Sequence, residues 1–311
     1  MRLSLIVPCY NEQDNIFPFA QAVAKVFPDP SAYEIVFVND GSKDKTLENL
    51  KELHRQSDQN IRVVSFSRNF GKESAIYAGL QHCDGDYISL IDADLQQDPE
   101  IVRQMADILD HEADTDCVCA YQETRHENKL MTSVKSAFYK MATNMSEVDF
   151  VDGASDFRTF RRTVRDALLQ MPEYFRFSKG LFSWVGFNTK YIPYEAQERA
   201  SGTTKWGFKK LLKYGWDGIL AFSTAPLKLA TVLGLLSTGF SILYFIITLI
   251  RKATEHIAVD GFTQTVILIV FFGGMQLFTI GIIGEYLSKN YIETKRRPVY
   301  LAKEILDYKT K

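Results

Sequence analysis

Asp92 and Asp94 stand one residue apart, directly after the apolar run Tyr87–Ile91. Second neighbours on a strand share a face, so the two carboxylates project together from a strand end. Paired hard oxygen donors at the carboxyl end of a buried strand suit Mg²⁺ or Mn²⁺, which takes its remaining ligands from substrate phosphates and water. A solvated acidic loop is the alternative for such a pair in isolation. Two further polar clusters stand with it: Pro8-Cys9-Tyr10-Asn11-Glu12 and Asn39-Asp40-Gly41-Ser42, each at the end of another apolar run.

The elements that must position these clusters read as alternating strands and helices. Leu3–Val7, Glu34–Val38, Ile61–Ser65, Tyr87–Ile91 and Cys117–Ala120 are short, apolar and rich in β-branched residues. Helical patterns fall between them near Asp14–Val26, Lys45–Arg55, Lys72–Gln81 and Pro99–Leu109. This alternation predicts an α/β fold with a mostly parallel sheet covered on both faces, whose ligands bind beyond the carboxyl ends of the strands. Asp40 or Ser42 alone would serve as a cap for the following helix; three polar clusters on one edge point to a pocket. Neither G-x-G-x-x-G nor G-x-x-x-x-G-K-[ST] is present, so a nucleotide here would be held by side chains and a metal.

A length of 311 residues suggests about two domains, and a net charge of -2 gives no reason to expect nucleic acid as a partner. Two uncharged runs, 229–250 and 261–284, each exceed the roughly 20 apolar residues needed to span a bilayer. Lys205, Lys209, Lys210 and Lys213 precede the first run, and Lys289, Lys295, Arg296 and Arg297 follow the second. The positive-inside rule then places both termini in the cytoplasm, joined by a two-helix transmembrane hairpin. Met1-Arg2 leads into a strand without the apolar stretch of a signal peptide. Neither run carries an ionisable residue at its centre, which disfavours a channel or transporter. Cys9, Cys83, Cys117 and Cys119 lack zinc spacing and read as reduced, buried thiols.

The motifs Val7-Pro8-Cys9-Tyr10-Asn11-Glu12, Val38-Asn39-Asp40-Gly41-Ser42 and Asp92-Ala93-Asp94-Leu95-Gln96 resemble those of glycosyltransferase family 2, inverting enzymes with a GT-A fold. Arg68-Asn69-Phe70-Gly71-Lys72, Ser155-Asp156-Phe157-Arg158, Gly180-Leu181-Phe182-Ser183-Trp184 and Gly202-Thr203-Thr204-Lys205-Trp206 are similar to its polyprenyl-phosphate branch, which includes bactoprenol glucosyltransferases and dolichol-phosphate mannose synthases. The resemblance implies a cytoplasmic GT-A domain over 1–220, a transmembrane hairpin over 221–288 and a basic cytoplasmic tail over 289–311, in the cell inner membrane. It implies that Pro8, Tyr10, Glu12 and Asp40 surround the donor's base and ribose, with Lys72 nearby. Asp92 and Asp94 would hold the diphosphate through the metal with help from Gln96, and Asp156 matches the family's catalytic base. Arg199 and Lys205 match a basic loop that closes over the donor diphosphate or the lipid phosphate, and Arg125 is a further candidate there. The sequence departs from the pattern at Tyr121-Gln122-Glu123, where relatives often carry a basic residue. Gln197-Glu198-Arg199-Ala200-Ser201 is not the Q-x-x-R-W of processive synthases, so a single sugar transfer is expected.

The implied reaction moves one sugar from a nucleotide sugar to a polyprenyl phosphate. UDP-glucose is the first choice of donor; UDP-N-acetylglucosamine, a UDP-aminoarabinose derivative and GDP-mannose are alternatives, and a non-catalytic membrane scaffold is the reading from another class. The phosphate nucleophile, with a second pKa near 6, is already largely deprotonated at neutral pH, so Asp156 orients sugar hydroxyls or the acceptor, favours oxocarbenium character, or is simply paired with Arg158. Residues 206–220, with Trp, Phe, Leu and Tyr among three lysines, read as an interfacial helix. Residues 129–145 read as a second interfacial helix or as an amphipathic helix packed on the catalytic domain. The resemblance also suggests a homo-oligomer.

Overall fold

The computed structural model describes residues 2–122, 154–195, 223–255 and 261–307. Strands β1 (Leu3–Cys9), β2 (Tyr33–Asn39), β3 (Ile61–Phe66) and β4 (Tyr87–Leu90) alternate with helices α1 (Ile16–Val26), α2 (Thr46–Gln56), α3 (Lys72–His82) and α4 (Pro99–His111). Strand β5 (Cys117–Gln122) follows, then β6 (Ala154–Arg161), α5 (Arg162–Leu169), α6 (Ser178–Trp184) and β7 (Thr189–Tyr194). Two long helices, α7 (Ala225–Glu255) and α8 (Phe262–Thr294), precede a last strand, β8 (Ala302–Leu306).

The strands form one sheet in the order β7-β5-β6-β4-β1-β2-β3-β8. Pairs β1–β2, β1–β4, β2–β3 and β5–β7 are parallel. Pairs β4–β6, β5–β6 and β3–β8 are antiparallel. Strand alternation divides the apolar residues between two faces. Leu5, Val7 and Phe37 pack with Phe19 of α1 and with Val102 and Met105 of α4. Ile6, Val36 and Val64 pack with Ile76 of α3, Val164 of α5 and Phe182 of α6. Helix α3 lies so close to β1 that a Cβ at Gly79 would fall 2.2 Å from Ile6 Cγ2.

The parallel core agrees with the sequence pattern, but β6, β7 and β8 had not been expected. The segment 289–311, expected as a tail, is different where it is described. Residues 289–294 continue α8, and 302–306 join the sheet beside β3. Tyr300 stacks on Phe66 with ring centroids 4.7 Å apart and donates its hydroxyl hydrogen to Gln81 Oε1 at 2.8 Å. Lys51 pairs with Glu304 at 2.6 Å, and Arg62 with Asp307 at 2.8 Å. The chain leaving α8 is therefore fastened to the α/β domain, and its strand covers the otherwise open edge of β3.

Helices α7 and α8 are long and apolar enough to cross a membrane. Many of their apolar side chains point outward: Leu235 is 69% and Leu277 71% exposed. These faces pack on nothing within the described chain, unlike those of a buried helix pair in a soluble core.

Candidate functional site

The site lies at the carboxyl ends of β1, β2 and β4, with β6 completing it. After β1, Asn11 takes a left-handed backbone (φ 56°), and after β2, Gly41 does the same (φ 61°). A Cβ on Gly41 would fall 2.3 Å from the Arg68 carbonyl carbon, so the close approach of two loops requires glycine there. The loops after β1 and β2 are zipped together. Asn11 N–H donates to Ser42 Oγ at 3.0 Å, and Lys43 N–H returns to Asn11 Oδ1 at 2.9 Å. Glu12 N–H donates to Thr46 Oγ1 at 2.9 Å, while the Glu12 carboxylate accepts from Asn15 Nδ2 at 2.7 Å.

Neither Asp40 nor Ser42 caps α2: its N-cap is Lys45, which makes no side-chain capping bond, and Asp44 just before it accepts from Thr46 N–H at 3.0 Å. Asp40 is buried and turned toward the loop before α3. Its carboxylate accepts from Phe70 N–H at 2.6 Å, Gly71 N–H at 2.9 Å and Asn69 Nδ2 at 2.9 Å. Burial raises its pKa, and the Phe70 and Gly71 amides act against that rise. Asp40 thus fixes the loop that delivers Lys72. Tyr10 is 37% exposed, and Pro8 is paired in register with Val38 inside the sheet.

Strand β4 ends at Leu90, so Asp92 and Asp94 sit in the following turn and not on the strand. Burial still alternates there: Ile91 and Ala93 are buried, while Asp92 and Asp94 are partly open. The turn is set by Leu95 in a left-handed conformation (φ 58°), by Gln96 N–H donating to Asp94 Oδ1 at 3.2 Å, and by Asp92 N–H donating to Gln97 Oε1 at 2.9 Å. Gln96 thus meets Asp94 through its backbone.

The antiparallel β6 slots between β4 and β5 and brings Asp156 to this edge. Lys72 Nζ lies 2.6 Å from Asp92 Oδ1 and 3.6 Å from Asp156 Oδ2. Burial would lower the Lys72 pKa, but Asp92 and Asp156 together carry it above its ordinary value. Burial would raise Asp156, but Lys72, Lys179 and Arg158 bring it below the ordinary carboxylate value, so it is ionised at neutral pH. Its Oδ1 is buried without a hydrogen-bond partner among the described residues. Lys72 stands at ion-pair distance from Asp156, and Arg158 does not. Arg158 stacks on Phe182 at 4.1 Å and donates to Ser155 O at 2.8 Å.

Sequence reasoning missed Glu73 and Lys179. Glu73 Oε2 accepts from the backbone N–H of Ser178 at 2.9 Å and from its hydroxyl. Burial and the nearby Asp156 charge push Glu73 up to about 7, against the Ser178 hydrogen bonds and Arg176. Both residues adjoin recognised motifs, Lys72 on one side and Gly180-Leu181-Phe182-Ser183-Trp184 on the other, which was the available signal. Arg125, Arg199, Lys205 and the segments 129–145 and 206–220 lie outside the described residues.

No group of three or more His, Cys, Asp or Glu side chains is assembled for a metal among the described residues. Two neighbouring carboxylates fit a hard divalent cation that draws its other ligands from a diphosphate and water. They do not fit a structural zinc site, which needs four protein ligands.

The mostly parallel α/β core, with the carboxylate pair beyond β4 and Asp156 bridged to it by Lys72, is that of a GT-A-like glycosyltransferase. The chain belongs to glycosyl transferase family 2: the family's model matches residues 4–169, and a model described as the GtrB C-terminal hairpin matches residues 225–289. CsbB of Bacillus subtilis (strain 168) is 41% identical over 303 residues, 97% of this chain and 91% of that protein. A prophage bactoprenol glucosyl transferase homolog of Escherichia coli (strain K12) is 37% identical over 98% of this chain and 99% of its own length. The bactoprenol glucosyl transferase of Shigella phage SfX is 38% identical over 97% of this chain and 99% of that protein. Among solved structures, glucosyl-3-phosphoglycerate synthase of Mycobacterium tuberculosis, in complex with Mn²⁺ and UDP, aligns with a TM-score of 0.48 at 16% identity, covering 70% of this chain and 77% of that one.

Proposed function

We propose that the protein transfers one sugar, with inversion, from a nucleotide sugar to a polyprenyl phosphate at the cytoplasmic face of the membrane, with UDP-glucose as donor. The observation that carries this reading is the ionised Asp156, with one buried oxygen unpartnered, held by Lys72 beside the Asp92/Asp94 pair. Full-length similarity to bactoprenol glucosyl transferases supports the acceptor class. The outward-facing α7 and α8 support a membrane-embedded acceptor, and β8 supports the orientation, since it returns the chain after α8 to the side of the α/β domain.

In the proposed reaction a phosphate oxygen of the acceptor forms a bond to the anomeric carbon. The bond from that carbon to the diphosphate breaks, and its electron pair leaves with the nucleoside diphosphate. A phosphate monoester is already mostly dianionic at pH 7, so no proton need be removed from the nucleophile. Asp156 then accepts a hydrogen bond from a sugar hydroxyl and places negative charge near the developing oxocarbenium character. Lys72 retains its proton and fixes Asp92 and Asp156 relative to each other. Asp92 and Asp94 would hold a divalent cation, Mg²⁺ or Mn²⁺, which supplies positive charge against the leaving diphosphate. Pro8, Tyr10, Glu12 and the loop fixed by Asp40 form the wall against the nucleoside. Arg125, Arg199 and Lys205 are proposed to meet the diphosphate or the lipid phosphate.

The test is a panel of UDP-glucose, UDP-N-acetylglucosamine, UDP-galactose and GDP-mannose with undecaprenyl phosphate, Mg²⁺ or Mn²⁺ and detergent-purified protein, read by mass of the lipid product. A lipid-monophosphate sugar from UDP-glucose, lost in Asp94→Ala, is the expected result. Product from another donor alone overturns the donor assignment. No product with any donor, together with no nucleotide binding, overturns the enzyme reading.

A further inference from the structure

Two lysine charges act on Asp156, and the fold attaches the two residues to different things. Lys72 opens α3 directly after the loop held by Asp40, on the nucleotide side. Lys179, whose charge acts on Asp156 second only to that of Lys72, sits in α6. The segment leading into α6 is docked on the end of the second membrane-type helix. Tyr174 N–H donates to both Glu293 carboxylate oxygens at 3.1 Å, and Lys289 of α8 lies 5.4 Å from the Phe175 ring centre. At its other end this strut is secured by Arg176 stacked on Tyr77 of α3 at 4.4 Å and by Ser178 donating to Glu73. The contacts from Glu293 through Tyr174 and Ser178 thus run from the end of α8 to Glu73, the neighbour of Lys72, and Lys179 follows Ser178 at that inner end.

Resting on the function proposed above, we infer that Lys179 is the acceptor-side cation. It binds the phosphate monoester of the lipid beside Asp156, and Glu73 is a positioning residue that holds it there through Ser178. A lipid alongside α8 presents its phosphate at the level where the strut begins. An ammonium carried by that strut meets the phosphate without displacing Lys72 from Asp92. The division of labour is chemical as well as spatial: one lysine holds the donor-side carboxylate, and the other neutralises an incoming dianion that would otherwise face Asp156 directly.

The experiment measures binding without turnover, on full-length protein in detergent, with undecaprenyl phosphate, undecaprenol and UDP as separate probes. Lys179→Gln is expected to weaken undecaprenyl phosphate binding about tenfold or more while leaving UDP affinity unchanged. Lys179→Arg, which keeps the charge, is expected to remain within a few fold of wild type. Undecaprenol, which lacks the phosphate, is expected to bind wild type and Lys179→Gln equally. Unchanged undecaprenyl phosphate affinity in Lys179→Gln, an equal loss of UDP affinity, a loss in Lys179→Arg as large as in Lys179→Gln, or a matching loss of undecaprenol binding each overturns the inference. Wild type that binds UDP but prefers undecaprenol to undecaprenyl phosphate overturns the acceptor reading itself.

Discussion

Tyr300, beyond the end of α8, stacks on Phe66 at the last position of β3, with ring centroids 4.7 Å apart and planes 22° from parallel. The contact joins the chain that leaves a membrane-type helix to the edge of the sheet that carries the site. The Tyr300 hydroxyl also meets His82 and Gln81 at the end of α3, the helix whose first residue is Lys72. One aromatic ring therefore ties the chain leaving α8, the sheet edge and the far end of α3 together.

Tyr300→Ala removes this stack and the hydroxyl bonds, at a cost of about 1–3 kcal/mol. The expected outcome is a lower thermal midpoint for the detergent-purified protein, with Tyr300→Phe losing less than Tyr300→Ala. Equal midpoints for all three proteins would show that β8 does not depend on the stack.

Asp156→Asn keeps the shape of the side chain and removes its charge. Turnover is expected to fall about a hundredfold or more at every pH, with UDP affinity retained. The check is a pH–rate profile alongside a UDP titration. Near-normal turnover would mean that the unpartnered oxygen, and not the charge, is what the reaction uses.

Glu73 gives the folded protein a specific pH dependence. In the unfolded chain it titrates in the ordinary carboxylate range near 4.3, whereas burial and the nearby Asp156 charge raise it to about 7 in the folded state. Between those values the folded state binds the extra proton, so stability from this group is full below the ordinary value and declines as pH rises toward about 7. Asp156 acts in the opposite sense, its contribution being lost only as pH falls through the ordinary carboxylate range and below. Glu73→Gln stays neutral and can still accept from Ser178. Its thermal midpoint, relative to wild type, is expected to rise as pH increases from about 5 to about 8. A difference that does not change with pH would be falsifying.

Gly41→Ala puts a side chain into a left-handed backbone (φ 61°) against the Arg68 carbonyl carbon. The expected cost is more than about 1 kcal/mol. Because this contact sets the loops after β2 and β3 against each other, weaker UDP binding should accompany the lower stability. Urea denaturation and a UDP titration on the same preparation test both effects. Destabilisation with unchanged UDP affinity would show that the 68–71 loop moves independently of the nucleotide wall.

The parts of this protein legible in its sequence were those written in short-range pattern. The alternating apolar strands β1 to β5, the intervening helices and the two long apolar runs all appear as local periodicity or length. The carboxylate pair was legible because Asp92 and Asp94 follow a strand directly. Asp40 shows the limit of such reading: its residue type suits a nucleoside contact or a cap, while its carboxylate is turned to Phe70, Gly71 and Asn69. Which partner a short acidic side chain finds depends on a loop delivered by another strand.

The sequence by itself determined the class of fold, the carboxylate pair and the apolar helices, because these rest on neighbours a few residues apart. Tertiary structure alone decided that β6 enters antiparallel and sets Asp156 against Lys72, that Glu73 holds Ser178, and that β8 returns to pair with β3. Those contacts join segments far apart along the chain, and local periodicity does not encode which distant edge or cavity will receive a strand or a side chain. The choice is made when the sheet closes its edges and buries both its faces.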